Sequence, residues 1–356
     1  MIYYGIAAIF PLLCWAFYEF WIRNNDLKQK GRITSKKWLT VIAVLPIFLL
    51  FVLRYKYVGV DTIGYVKFFE KEIRQYSFKD LLSKDLMRVE VGYRLYVKVI
   101  SLFTNNYTVY FLINGIFIFG TLLRFSFKHT KNPFIFFFLF ITLGTYQFIE
   151  TGLRQALAMT ICLWAVDFLK GRKPLKFFLL VLLAYYFHKS AAIFVIIYPL
   201  CAIKKYDWLI FVYGILAVTF FVGFSAFQSY FNELLGYNYE VEETGNGQIF
   251  LMLVMVICGY SFFMCYDKKG EEKTDAVTIH LAFMTVIFWL LRLISRTAER
   301  ISFYYIFGLY SYFSQAVNYD KDKLSSLLKW LLILACLVLF IHRNSAATYL
   351  FFWQGA

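Results

Sequence analysis

Arg54, Arg154, Arg292, Arg296 and Arg300 stand with Asp61 and His188 at the ends of long apolar runs. Guanidinium groups hold phosphate or carboxylate through paired, charge-assisted hydrogen bonds. A carboxylate can take a proton from a hydroxyl, and an imidazole exchanges its proton near neutral pH. Ionisable groups at bilayer depth are costly unless they are paired or used. Brought to one face, this set would grip an anionic, lipid-linked substrate and move a proton beside it.

Four segments carry these residues. In Arg54–Thr62, Gly59 permits a tight turn, and Asp61 with Thr62 suits the N-cap of a helix starting near Ile63. Asp61 has two compatible readings, a cap or a carboxylate at the mouth of a membrane cavity. In Glu150–Gln155, Glu150 and Arg154 have the spacing of a helical ion pair, worth about 0.3–0.5 kcal/mol when exposed. The turn joins two apolar runs with almost no linker, which sets Arg154 and Gln155 at the membrane boundary as an anion ligand or an interior partner. In Phe187–Ser190, His188 is either structural or a group that bonds phosphate or moves a proton. In Arg292–Arg300, the spacing puts Arg292, Arg296 and Arg300 on one helical stripe, with Glu299 beside Arg296. Tyr304 and Tyr305 follow as sugar or interfacial contacts. Interfacial snorkelling is the competing reading of these arginines.

The elements that must position these groups follow from composition. The chain has 356 residues, 61% of them hydrophobic and 22% aromatic, with mean hydropathy +0.61. A soluble domain is about 45–50% apolar. The apolar runs recur at about 17–25 residues, the length that crosses a hydrocarbon core. They predict an all-α polytopic membrane protein, one transmembrane domain over residues 1–356, with about twelve helices. The expected spans are 2–22, 38–53, 107–127, 133–149, 152–169, 177–188, 190–203, 208–225, 248–266, 276–292, 301–318 and 325–342. The first is too long for the apolar region of a signal peptide. The short pieces 177–188 and 190–203 are read as tilted, broken or re-entrant. Phe134–Phe138, Phe177–Phe178 and Tyr349–Trp353 are read as lipid-facing or belt aromatics.

Net charge is +15. In a soluble protein this would suggest nucleic acid; here it sets orientation, and no nucleic-acid partner is expected. The short loops Arg23–Lys37, Lys128–Lys131, Lys170–Lys176, Lys204–Lys205, Lys268–Lys273 and Lys321–Lys329 are rich in lysine and arginine, hence cytoplasmic. The opposite set faces outward, with both termini. It includes a large loop, 54–106, with two amphipathic helical patterns, and an acidic loop, 225–247, read as a solvated loop or a lid. Cys14, Cys162, Cys201, Cys258, Cys265 and Cys336 form no CxxC pair and read as small buried hydrophobes. No metal site or disulfide framework is expected.

Together, Arg54, Gly59, Asp61, Thr62 and Tyr65, then Glu90-x-Gly92-Tyr93, Arg154-Gln155-x-x-Ala158, His188-x-Ser190-Ala191 and Arg296…Arg300…Tyr304 resemble the EpsG family, a branch of the Wzy-like polysaccharide polymerases of bacterial envelopes. The resemblance runs from Arg54 to about Tyr305. It implies a GT-C-like, metal-independent glycosyltransferase without a cofactor, acting at the outer face of the bacterial cytoplasmic membrane. Its substrate would be an oligosaccharide on undecaprenyl diphosphate, with membrane lipid around it and flippase and chain-length-regulating proteins as partners. On that basis Asp61 is the expected general base, with Glu90 and His188 in reserve. Arg54, Arg154, Gln155, Arg292, Arg296 and Arg300 would bind the diphosphate, and Tyr65, Tyr93, Tyr304 and Tyr305 the glycan. Many other C-type glycosyltransferases show an acidic pair in the first outward loop. Here Asp61 lacks an adjacent second acid, which argues against the metal-dependent branch. The alternatives are another lipid-linked transferase, such as a ligase or a polyprenyl-phosphate-sugar enzyme, or a flippase. A transporter tends to line a path with charge on both sides of the midplane; here Glu19 and Asp167 lie towards the cytoplasmic ends, and the outward clustering favours surface chemistry.

Overall fold

Backbone at membrane depth has no water to bond, so helices that satisfy their own N–H and C=O groups are the stable solution for these apolar runs. The computed structural model describes residues 2–25, 28–83, 89–203, 206–235, 247–266, 275–319, 321–345 and 347–355. The helices are α1 (Ile2–Asn24), α2 (Gln29–Val52), α3 (Thr62–Lys67), α4 (Phe78–Leu82), α5 (Val91–Ser101), α6 (Tyr107–His129), α7 (Pro133–Thr142), α8 (Thr145–Thr151) and α9 (Leu153–Lys170). They continue with α10 (Pro174–Phe187), α11 (Ile197–Leu200), α12 (Tyr206–Leu235), α13 (Gln248–Cys265), α14 (Ala276–Leu291), α15 (Arg296–Ser302), α16 (Ile306–Ala316) and α17 (Lys323–Arg343). A 3-10 helix, Lys189–Ile196, links α10 to α11. The described residues contain no strand beyond an isolated bridge between Arg54 and Phe351.

Among the described residues five helices, α1, α2, α6, α13 and α17, are long and apolar enough to cross a membrane, and α7 with α8 pass as one unit bent by 60°. The remaining apolar helices are shorter. Local chemistry explains many helix starts. Asn106 caps α6 through Thr108 N (2.7 Å), and Asn132 with Pro133 at the first turn opens α7. Asp322 and Ser325 form a capping box at α17. The 190–203 piece, for which tilted, broken and re-entrant forms are all open in the sequence, is a 3-10 segment that runs directly into one α turn. The 301–318 piece is interrupted at Phe303–Tyr305, between α15 and α16.

One reading is overturned. Phe134–Phe138 do not face lipid; all are fully buried on α7, which packs against α1, α2, α16 and α17. Phe177 and Tyr349 are buried too, whereas Phe178 and Trp353 are exposed. Lipid and protein interior are equally apolar, so hydropathy cannot tell a central helix from a peripheral one.

The 54–106 loop folds back onto the bundle. Val66, Phe69, Ile73, Tyr93, Val97 and Ile100, the apolar faces of its amphipathic segments, are buried. Phe69 stacks on Tyr110 of α6 with ring centroids 4.5 Å apart, and the Tyr93 and Tyr110 hydroxyls are 2.6 Å apart. In the 225–247 loop, α12 continues to Leu235, and residues 236–246 lie outside the described residues.

The basic end of the bundle is held by charge. Asp167 of α9 contacts Arg124, Lys128 (2.8 Å) and His129 Nε2 (3.0 Å) on α6. Asp275, the N-cap of α14, takes His129 Nδ1 at 3.1 Å and Lys170 at 2.6 Å. Burial alone would raise the Asp275 carboxyl. Its hydrogen bonds to His129 and Lys170, with their charges, outweigh this and hold it below the usual carboxylate range.

Candidate functional site

The candidate site is assembled at the opposite end from four separate stretches of chain. The first is the start of α5. Gly92 lies so close to α10 that a Cβ there would sit 2.7 Å from the Tyr186 carbonyl oxygen. This approach seats Glu90, the residue before α5, in a buried position, 9% exposed. Its carboxylate pairs with Arg154 at the start of α9 and accepts from the Lys189 backbone N–H at 3.4 Å. The Glu150–Arg154 pair that their spacing allows does not form; Arg154 takes an interior partner instead. Gly152 divides α8 from α9, and Glu150 turns instead to the Tyr4 hydroxyl, 3.1 Å away.

The second element is the break after α10. His188 has extended backbone there, and its Nδ1 accepts from Ser190 N–H at 3.3 Å. The proton of the neutral ring therefore belongs on Nε2. Ser190 Oγ lies 2.9 Å from Nδ1 and 2.9 Å from the Tyr304 hydroxyl. This gives a chain from Tyr304 through Ser190 to the imidazole. The charges of Glu90, Arg154 and Arg300 all act on this ring.

The third element is α15. Gln155 Nε2 donates to the Arg300 carbonyl at 2.6 Å, tying α15 to the start of α9. Arg296 and Arg300 are exposed on α15. The single stripe expected for Arg292, Arg296 and Arg300 is broken, because α14 ends at Leu291 and Ser295 caps a new helix. Arg292 is buried and its Nε donates to Glu299 at 2.9 Å, so Glu299 serves Arg292 rather than Arg296.

The fourth element is the turn before α3. Gly59 has φ +92°, and a Cβ there would meet Thr62 Oγ1 at 2.6 Å and the Glu150 carbonyl oxygen at 3.0 Å. Thr62 Oγ1 donates to that carbonyl at 3.1 Å. Asp61 occupies the N-cap position of α3, but its exposed side chain makes no capping hydrogen bond. Tyr65, one turn on, interacts electrostatically with both Asp61 and Arg154. Burial raises the Tyr65 phenol above its usual range, against the pull of Arg154, so the group is a neutral donor.

The structure thus brings Glu90, Arg154, Gln155, His188, Arg300, Tyr304 and Tyr65 into one neighbourhood, with Asp61 at its edge. Of the other expected residues, Arg292 is paired with Glu299, Arg296 is exposed on α15, and Arg54, Tyr93 and Tyr305 are packed into the interior. Arg54 is fully buried; its guanidinium lies 4.1 Å from the ring centres of Phe51 and Phe111, and Nη1 donates to the Phe51 carbonyl at 2.8 Å. Tyr93 is buried under Tyr65 and Phe68. Tyr305 donates to the Ile193 carbonyl at 2.6 Å and stacks on Phe288. Reading the sequence missed the link that Ser190 makes between His188 and Tyr304. Its signal was the His-x-Ser spacing, which lets a hydroxyl reach back to the ring within one turn.

Among the described residues no group of three or more His, Cys, Asp or Glu side chains is gathered to hold a metal ion. The sequence profile of the EpsG family matches residues 37–354, nearly the whole chain. No curated protein matches the chain. No solved structure matches it either. A match of this length, spanning every element that builds the site, places the chain in the EpsG family.

Proposed function

We propose that the chain polymerises oligosaccharide repeat units carried on undecaprenyl diphosphate into exopolysaccharide, capsule or O-antigen, at the outer face of a bacterial cytoplasmic membrane. EpsG proteins are Wzy-like polysaccharide polymerases, and the glycosyltransferase reading rests on that membership. In this reading about twelve segments cross the bilayer, the shorter apolar helices included, and the Lys/Arg-rich end faces the cytoplasm.

The observation that carries the proposal is the meeting of Arg154, Glu90, His188 and Arg300, which are far apart in sequence, in one neighbourhood at the end opposite the basic loops. In the reaction, an acceptor hydroxyl attacks the anomeric carbon of the donor, its C–O bond to the diphosphate breaks, and the hydroxyl proton passes to a base. Negative charge grows on the departing diphosphate. Arg154, Arg296 and Arg300 would stabilise it, since fixed charges in a partly dry site act strongly on a developing anion. Arg154 reaches that role from its pair with Glu90, which keeps the guanidinium oriented before substrate arrives. His188, with Nε2–H as its donor, would bond a phosphate oxygen. Asp61, exposed and without a capping bond, serves as the base. Tyr65 and Tyr304 would contact the glycan.

The test is reconstitution. Purified protein given synthetic lipid-diphosphate repeat units should produce a ladder of longer glycans. Movement of the substrate across vesicles without any ladder would instead support a flippase. Transfer of a single unit to a different acceptor would support a ligase.

A further inference from the structure

A cluster of cations surrounds a cavity at the basic end of the bundle. The cavity, of about 150 Å³, opens between α1, α2, α6 and α7, lined by Tyr18, Arg32, Lys36, Lys37 and Lys131 among others. It takes no part in the chemistry proposed above. Lys36 is only partly exposed; its Nζ donates to the Lys131 carbonyl at 3.1 Å and lies 5.3 Å from the centre of the Tyr18 ring. Lys37 lies 5.9 Å from the centre of the Phe127 ring. These contacts hold ammonium groups at a cavity wall, where orientation control alone would leave them waving in solvent. Thr130 and Ser126 line the same space. Against these four cations the charge of Glu19 acts on Lys36 from α1.

The depth of the cavity indicates what enters it. Trp21 and Trp38 are exposed on the same turns of α1 and α2, with relative exposures of 41% and 66%. With Phe17 and Leu39 they border a separate open groove. Exposed tryptophans favour the headgroup level of a bilayer, so the cations sit where lipid phosphates lie. The space is below the roughly 300–1,000 Å³ of small-molecule sites, a size suited to a headgroup phosphate rather than a nucleotide. The wall is also mixed, with Ile33, Phe127 and Pro133 beside the cations. We propose that this cavity binds the phosphate of an anionic phospholipid.

The test uses full-length protein, delipidated in neutral detergent and examined by native mass spectrometry with added phosphatidylglycerol or phosphatidylcholine. One phosphatidylglycerol should be retained in preference to phosphatidylcholine. Lys37→Gln with Lys131→Gln should weaken its retention by roughly fivefold per charge removed, while Lys36→Arg keeps it. Removing two exposed lysines elsewhere, Lys173→Gln with Lys176→Gln, should change nothing. Equal loss in that control, or unchanged retention in the cavity variant, overturns the proposal. So does displacement of the lipid by equimolar inorganic phosphate, which would make free phosphate the ligand. A thermal melt in phosphatidylcholine checks that the variants fold. If the double variant does not, Arg32→Gln alone decides by the same readout.

Discussion

At the basic end, Asp167 contacts Arg124, Lys128 and His129, and Asp275 takes His129, Lys170 and its own helix N-terminus. At the other end, Glu90 holds Arg154, while Arg296 and Arg300 are exposed on α15 and Asp61 is exposed near Tyr65. The first arrangement is closed on its acids: both carboxylates are taken up by cations from α6 and α9. The second sets one buried carboxylate, Glu90, against Arg154, with further guanidinium groups exposed on α15. Networks of the first kind fix helices against one another, because removing one member leaves buried charge uncompensated. Arrangements of the second kind bring guanidinium groups to the surface, where an incoming anion can compete for them.

Four measurements would break or sharpen this contrast. Arg154→Ala should lower glycan extension at least a thousandfold, about 4 kcal/mol of barrier, and Arg154→Lys should not restore it, lacking the planar fork. Near-normal extension by the Ala variant would take Arg154 out of the site. Asp167→Ala should do the reverse. A melt should show destabilisation by about 3 kcal/mol, while the fraction that stays folded extends glycans within about twofold of the parent rate. A large rate loss in that folded fraction would mean that the closed end also controls chemistry. Asp61→Asn should leave the melt unchanged and slow turnover about a hundredfold, the low end for a lost general base; a melt that drops while the rate holds would make Asp61 structural. The smallest effect is expected for Tyr4→Phe, which removes a hydrogen bond to the buried Glu150. It should cost about 1–2 kcal/mol of stability, read from the same melt, with little change in rate.

Much of the architecture could be read in the chain because helix ends carry local signals. Asn132-Pro133, Asp275 and Asp322 each open a helix where the apolar runs begin, and the break around His188 falls where two short runs meet. Partnership was harder to read. Arg154 has a suitable acid four residues before it, yet pairs with Glu90, 64 positions away. No periodicity encodes that choice; the close approach of Gly92 to α10 makes it. Arg54 looks like Arg154 in sequence, a guanidinium at the end of an apolar run. Its distinguishing feature is tertiary: the aromatic rings of Phe51 and Phe111 enclose it, and extended backbone near Phe351 pairs beside it. The run Phe134–Phe138 shows the same limit for packing, since a stretch apolar all round suits either a bilayer or a core.

The contact between Tyr4 and Tyr349 has a topological consequence. Their ring centres are 5.6 Å apart, and the Tyr349 hydroxyl donates to the Leu50 carbonyl at the far end of α2. A hydrocarbon layer about 30 Å thick cannot separate groups that touch. Between residues 4 and 349 the polypeptide therefore traverses the bilayer an even number of times. Were each of the five long helices among the described residues a single crossing, the shorter or bent segments would together have to supply an odd number of further passages.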